Sequence, residues 1–573
     1  MGFLDKLIKK KYKHPWEKFY GENYKGMDVP NMSIYEYLVE KNKFNLDNVA
    51  LNYFNKKLTF RNFFDQISLC AKSMRSQGIR PGDVVTICMP NTPEAVIAFY
   101  AINKIGAIAN MIHPLSAEEE IKLSLQATKS VMLFAIDLSY KKVKEIINDT
   151  DVYKTIIISA GDSMPSTLKF GYKLTKGRKV EKPKSSEDYM YWHDFLLKGK
   201  KYGEKVLAKT TKEQPAVILH SGGTTGLPKN ILLSNGNVNA VAVQASMMLP
   251  ELNSSDRTLA VLPLFHCFGL VVCVHVPLCL GASSILIPQF DAKRFDKLLT
   301  KYHPTLVPGV PTLFEALLTN KHMDKADLSY IKYIVSGGDT LTPAKNEAVN
   351  DFLRKHNCDK TIIQGYGMTE TTGPATFGAL GSDRLGSVGI PLPGNEIKII
   401  DPDTKQDCKY GETGEICITG PVVMLGYLDN EKETNEMLEK DKKGRIWVHT
   451  GDLGYLNEEG ILFFVQRLKR MLIVSGYNVY PSHIEDVIMS HPAVLNCGVI
   501  GMPHPYKVQV PKAFIVLKSE YKLNIKIKSD IKEYCQKNLA AYMMPKEFEF
   551  KESLPKTLVG KVNYRELEKN NRT

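Results

Sequence analysis

The segment His220-Ser221-Gly222-Gly223-Thr224-Thr225-Gly226-Leu227-Pro228-Lys229 places flexible backbone, hydroxyls and one cation directly after an apolar run. Glycines let backbone N–H groups come close to phosphate oxygens, threonine hydroxyls donate hydrogen bonds or meet a metal ion, and lysine offsets charge. The segment therefore reads as a polyphosphate-binding loop. It is not the loop of common ATPases, because Pro228 precedes Lys229 and Asn230 follows it where that pattern has glycine and then serine or threonine. Taken alone, it reads equally well as a polar turn.

Three further stretches add complementary chemistry. Gln364-Gly365-Tyr366-Gly367-Met368-Thr369-Glu370 joins an aromatic ring suited to stacking on adenine, glycines that leave room for a ligand, and a hard carboxylate suited to Mg²⁺. Thr450-Gly451-Asp452 offers a carboxylate for ribose hydroxyls, with Arg467 as a second contact. Near the C-terminus, Leu554-Pro555-Lys556-Thr557-Leu558-Val559-Gly560-Lys561 carries a lysine on a glycine-containing loop.

The elements that must position these groups read as α/β. Val84 to Met89, Ser130 to Ile136, Tyr333 to Val335 and Thr361 to Ile363 have the apolar character of buried strands. Between them, Thr92-Pro93 opens a helix that stops at Gly106, Ser116-x-x-Glu119 reads as a capping box, and Thr342-Pro343 opens another helix. Such alternation predicts mainly parallel sheets covered by helices. The 573 residues, 43% of them apolar, suffice for several cores.

Ten cysteines are scattered without a Cys-x-x-Cys pair, so neither a disulfide framework nor a zinc site is expected from spacing, and a reducing cytoplasm fits. The longest apolar run, Phe268 to Ala282, contains His275 and is short of a membrane span, and the N-terminus lacks the form of a secretion signal. Residues 1–13 set Phe3, Leu4, Leu7 and Ile8 at helical spacing beside five lysines, the pattern of a short interfacial helix or of a solvated terminus. Between Pro165 and Lys205 there are eleven Lys/Arg against five Asp/Glu. No nucleic-acid-binding module surrounds them, and a basic surface insertion is expected. The net charge of +13 suits anionic small molecules.

In order and spacing these motifs resemble the adenylate-forming superfamily, which includes acyl-CoA synthetases, peptide-synthetase adenylation domains and luciferases. The resemblance extends to Pro263-Leu264-Phe265-His266, to Gly414-Glu415-Ile416 with Gly426-Tyr427, and to Arg467-Leu468-Lys469 followed by Gly476-Tyr477-Asn478-Val479-Tyr480-Pro481. Asn230, Gln466 and Tyr564 depart from the usual pattern, the last standing where arginine often follows the final lysine. The resemblance implies a large domain, residues 1–466, and a small mobile α+β domain, residues 467–573. It assigns the nucleotide to Ser221, Gly222, Gly223, Thr224, Thr225, Gly226, Lys229, Gly338, Asp339, Gly365, Tyr366, Gly367, Thr369, Asp452 and Arg467. Glu370 and Thr224 would hold Mg²⁺, and Lys561, Lys229, Glu370 and Thr225 would serve catalysis. His266, Val310, Gly337 and Gly365 would line an acyl pocket, Lys469 would be the hinge, and Ser475, Gly476 and Tyr477 would meet CoA.

The implied reaction joins a carboxylic acid to ATP as an acyl-adenylate and then to CoA, with release of pyrophosphate and AMP. The expected pocket is apolar, with Val271, Val272, Cys273 and Leu278 behind His266, which favours fatty or aromatic acids over amino acids. The Gly-Gly-Thr-Thr-Gly loop, the basic insertion and the amphipathic N-terminus turn the expectation to a medium- or long-chain fatty acid. An aryl acid, a carrier protein as acyl acceptor, and a non-catalytic nucleotide-binding scaffold remain alternatives.

Overall fold

The computed structural model describes all residues except 1–11, 22–23, 179, 182, 184–185, 187, 222–228, 475–476, 505–506, 557–560, 570 and 572–573. Its first sheet has seven strands in the order Ile362–Gln364, Tyr333–Ser336, Leu306–Gly309, Arg257–Ala260, Ser283–Leu286, Val49–Tyr53 and Lys56–Thr59. All neighbours are parallel except the last pair. A second sheet orders eight strands as Gly426–Tyr427, Lys229–Ser234, Pro215–Ser221, Ile108–Met111, Val84–Cys88, Met132–Ile136, Lys154–Ile158 and Tyr189–Tyr191. Its first two pairings are antiparallel and the others parallel. Helices Ile34–Asn42, Phe60–Ser76, Pro93–Lys104 and Asn235–Met248 share one buried apolar cluster with strands of both sheets.

An antiparallel third sheet comprises Glu396–Ile400, Gly414–Thr419, Ile446–Leu456, Leu438–Lys440 and Leu462–Arg467. After the turn Leu468–Arg470, a separate sheet begins at Leu472–Val474 and includes Tyr477–Val479, Val494–His504, Val508–Leu517 and Glu547–Phe550, with its own apolar cluster.

Local signals act largely as their chemistry demands. The Thr92 hydroxyl accepts from Ala95 N–H, Pro93 opens the helix, and Gly106 with φ +75° leaves it. Thr342 caps Pro343–Lys355 in the same way. The expected capping box at Ser116 is displaced by one residue. Ala117 occupies the cap, its N–H donating to the Glu120 carboxylate, while Ser116 N–H is held by the His113 carbonyl. The apolar run from Phe268 is a buried helix, and His275 is absorbed there by a 3.0 Å hydrogen bond with the Tyr100 hydroxyl. Among the described residues, no helix is long and apolar enough to cross a membrane. Of the basic N-terminal segment, residues 1–11 lie outside the described ones, and Lys13 pairs with Glu396.

The loop entering that helix is clamped. Asn91 donates to the carbonyls of Ala260 and Leu262 and accepts from Leu264 N–H. A Cβ on Gly269 would stand 2.0 Å from the Pro263 carbonyl oxygen, so backbone meets backbone. Gly269→Ala should therefore cost about 1–3 kcal/mol in urea unfolding, the scale of overpacking. Gly171, with open space around its Cβ direction, serves as the control, and equal stability of both alanine variants would refute the close contact.

Candidate active site

Four adjacent parallel strands of the first sheet end at one place. Beyond Ile362–Gln364 come Gly365, Tyr366 and Gly367, beyond Tyr333–Ser336 come Gly337, Gly338 and Asp339, and beyond Leu306–Gly309 comes Val310. Arg257–Ala260 leads to Phe265 and His266. The carboxyl ends of parallel strands are where open α/β sheets bind ligands, because loops there can diverge while the strands stay fixed. The sheet thus gathers residues up to about a hundred positions apart.

Tyr366 is buried and its hydroxyl donates to Asp452 Oδ2 at 2.8 Å. Asp452 lies opposite Arg467 in the antiparallel pair Ile446–Leu456 and Leu462–Arg467, with Nε 3.7 Å from Oδ1. Burial raises the Asp452 carboxyl, opposed by Arg467, Tyr366 and Lys561. The Tyr366 ring rests on Phe464, centroids 5.8 Å apart. Phe464 was not singled out by sequence, since the alternating run that contains it gives no sign of which ring it meets.

Ser221 and Lys229 pair across the antiparallel strands that bracket the glycine-rich loop. Gly222, Gly223, Thr224, Thr225 and Gly226 lie outside the described residues, as do Ser475 and Gly476, and only the backbone of Ser221 and Tyr477 is described. Lys229 Nζ stands 4.7 Å over the Tyr427 ring and 3.0 Å from Glu433 Oε2. The Tyr427 hydroxyl donates to Glu370 Oε1 at 2.9 Å. Glu370 is buried in the turn Thr369–Thr371; burial raises its carboxyl, opposed by its own backbone, Tyr427, Lys229 and Arg467. A hard carboxylate among cations fits a magnesium–triphosphate complex. Tyr427 stood in a family motif without a role, and Glu433 follows in an acidic helix that looks like ordinary surface.

Lys561 belongs to the same constellation. Burial lowers it below the ordinary lysine value, with Arg467 adding and Asp339, Asp452 and Cys267 opposing. Burial, and then Lys561, pushes His266 down to about 4, so its imidazole is neutral at physiological pH. Phe268 faces the glycines: a Cβ on Gly337 would lie 3.2 Å from its ring and 3.4 Å from the Gly365 carbonyl, and one on Gly338 would lie 3.7 Å from Val310. Val310, Gly337, Gly338 and Gly365 thus share a region with Phe268, whereas Lys469 sits in the turn between the third sheet and the C-terminal one.

The AMP-binding enzyme family model matches residues 39–428, and the model of the AMP-binding enzyme C-terminal domain matches residues 483–561. The chain belongs to the AMP-binding enzymes. It is 31% identical over 545 residues to a long-chain-fatty-acid–CoA ligase of Bacillus subtilis (strain 168), covering 94% of this chain and 95% of the relative. A probable 4-coumarate–CoA ligase 1 of Dictyostelium discoideum is 30% identical over 561 residues, covering 95% and 96%. Among solved structures, the anthranilate CoA ligase AuaEII in complex with anthranoyl-AMP superposes with a TM-score of 0.82 at 25% identity, covering 95% of this chain and 98% of that one. The fold is therefore that of the adenylate-forming enzymes, a large α/β part and a small C-terminal one. The chain is an adenylate-forming ligase.

For this AMP-binding enzyme, Asp452→Asn should weaken ATP binding about tenfold or more, the value of a buried charged hydrogen bond. Tyr366→Phe should weaken it less, because Arg467 still faces the carboxylate. An unchanged dissociation constant in Asp452→Asn, measured by equilibrium titration, would remove that residue from the nucleotide site.

Proposed function

We propose that this enzyme is an ATP-dependent ligase that converts a medium- or long-chain fatty acid to its CoA thioester, with release of AMP and pyrophosphate. The observation that supports the reading is that Lys561, a buried C-terminal cation, is felt electrostatically by Asp452 and His266 and itself feels Asp339, residues that follow the strand ends or face them. The relatives named above support the substrate class.

In the first half-reaction, a substrate carboxylate oxygen bonds to the α-phosphorus of ATP and the bond from that phosphorus to the pyrophosphate oxygen breaks. The transition state spreads negative charge, and preorganised cations lower its energy. Lys561 supplies one at the reacting centre, and Lys229 with the glycine-rich loop, including Thr224 and Thr225, holds the departing pyrophosphate. Tyr366 and Asp452 hold adenine and ribose. Mg²⁺, held by Glu370 with Thr224, would supply further neutralisation of the phosphates. Neutral His266 lines the acyl side with Val310, Gly337 and Gly365 without adding a charge to the pocket.

In the second half, the CoA thiolate attacks the acyl carbon and AMP departs. We place the hinge at Lys469 and the division between the moving parts after residue 466, so that rotation withdraws Lys561 and brings Ser475, Gly476 and Tyr477 to the thiol channel. The basic segment 1–13 would make peripheral contact with a membrane in which such acids partition. An aryl acid is the second reading, favoured by the similarity to a coumarate-type ligase.

Pyrophosphate release with ATP and Mg²⁺ should depend on added acid and rise with fatty chain length, and acyl-CoA should form when CoA is present. Preference for aryl acids would select the second reading, and adenylate without thioester would select a carrier-protein acceptor. Lys561→Ala should slow adenylation by about a hundredfold or more while sparing thioester formation from synthetic acyl-adenylate. Because the cation is the active form and burial lowers its pKa, the alkaline limb of adenylation kcat/KM should fall at a pH below the ordinary lysine value of 10.5. Equal loss of both half-reactions in Lys561→Ala would refute its role.

A further inference from the structure

Cys417 and His449 stand directly opposite one another in the antiparallel pairing of Gly414–Thr419 with Ile446–Leu456. Glu415, two residues before Cys417, projects to the same face of its strand. Cys417 Sγ lies 3.6 Å from His449 Nδ1, and Glu415 Oε2 lies 3.3 Å from the same nitrogen. The three donor atoms all fall within 4.8 Å of one another.

Those separations suit a tetrahedral ion. With a metal–sulfur bond of about 2.3 Å and metal–nitrogen and metal–oxygen bonds of about 2.0–2.1 Å, tetrahedral angles give a sulfur–nitrogen edge of about 3.5–3.6 Å and a nitrogen–oxygen edge of about 3.3 Å. The outer partners are also in place. His449 Nε2 is 2.8 Å from Glu439 Oε2, the carboxylate–imidazole arrangement that orients a ligating histidine and leaves Nδ1 to face the donors. Glu415 Oε1 accepts from Gly451 N–H at 3.1 Å, which fixes its carboxylate and frees Oε2.

Glu415 and Cys417 are buried, while the His449 side chain keeps 17% exposure, enough for a water at the fourth position. The surrounding charge is mixed, since Glu439 is joined by Lys398, which acts on Cys417, and Lys405, which acts on Glu415. Hydrogen bonding to Cys417 and Glu415 raises His449 to about 10, despite burial.

We propose that Glu415, Cys417 and His449 form a binding site for one thiophilic divalent cation of the Zn²⁺ class, with water as its fourth ligand. The site is separate from the ATP pocket but shares its scaffold, because Glu415 holds Gly451 and Asp452 is the next residue.

The test is titration of the chelator-treated, full-length protein with Co²⁺ as the spectroscopic probe, followed by displacement with Zn²⁺. One equivalent should produce a sulfur-to-cobalt absorption band in the near ultraviolet. Cys417→Ser should abolish the band, Cys408→Ser should keep it, and Glu439→Gln should weaken Zn²⁺ binding about tenfold or more while leaving every ligand in place. Glu439 is exposed, so that variant remains readable should Cys417→Ser fail to fold. A parent protein without the band, a band that survives in Cys417→Ser, or unchanged affinity in Glu439→Gln would each overturn the proposal and leave a hydrogen-bonded imidazolium.

Discussion

Two phenol-to-carboxylate hydrogen bonds hold the sheets of the large part around one pocket. Tyr366, from the end of a first-sheet strand, donates to Asp452 of the third sheet at 2.8 Å. Tyr427, on the edge of the second sheet, donates to Glu370, which follows the first. Both carboxylates are buried, and a buried carboxylate without partners would take up a proton or force the structure to open. Each bond therefore sets the charge a nucleotide would meet while also fixing how two sheets meet. Arg467 and Lys229 complete the balance: Arg467 comes from the strand paired with that of Asp452, and Lys229 from the strand paired with that of Tyr427.

The C-terminal part meets a similar demand by a different substitution of parts. Tyr564 occupies the position where an arginine often follows the final lysine, and the buried Glu485 takes its cation from Arg470. Its guanidinium stands 3.7 Å over the Tyr564 ring and donates to Glu485 at 2.7 Å, and Val499 N–H also donates to Glu485. Burial raises the Glu485 carboxyl and Arg470 opposes the shift, as expected of a desolvated ion pair. Arg470, the residue after Lys469, is thus tied to the helix Tyr564–Lys569, which begins three residues after Lys561.

Much of this was legible before the fold was known, and for local reasons. Buried strands of parallel sheets are short apolar runs, and Thr-Pro starts a helix through a hydroxyl and a fixed φ that depend on neighbours alone. The capping box that slipped from Ser116 to Ala117 shows the limit, since Glu120 bonds a backbone N–H that any residue could present. Lys229, Glu370, Asp452 and Lys561 were visible as chemistry because each sits in a motif. Phe464 and Glu433 were not, because a ring in an alternating strand and an acid in a surface helix look ordinary until their partners are known.

The sequence by itself determined the elements, the chemical groups and the kind of reaction, because capping, strand burial and phosphate-compatible loops are written within a few residues. Tertiary structure alone decided which groups meet. Sheet order brought Val310, Gly338 and Gly365 to one rim, and antiparallel register set Asp452 against Arg467 and Cys417 against His449. Cysteine spacing along the chain gives no sign that Glu415, Cys417 and His449 converge, since they come from two strands. Register is a property of pairs of strands, fixed by the packing of whole sheets, and no single stretch of sequence contains it.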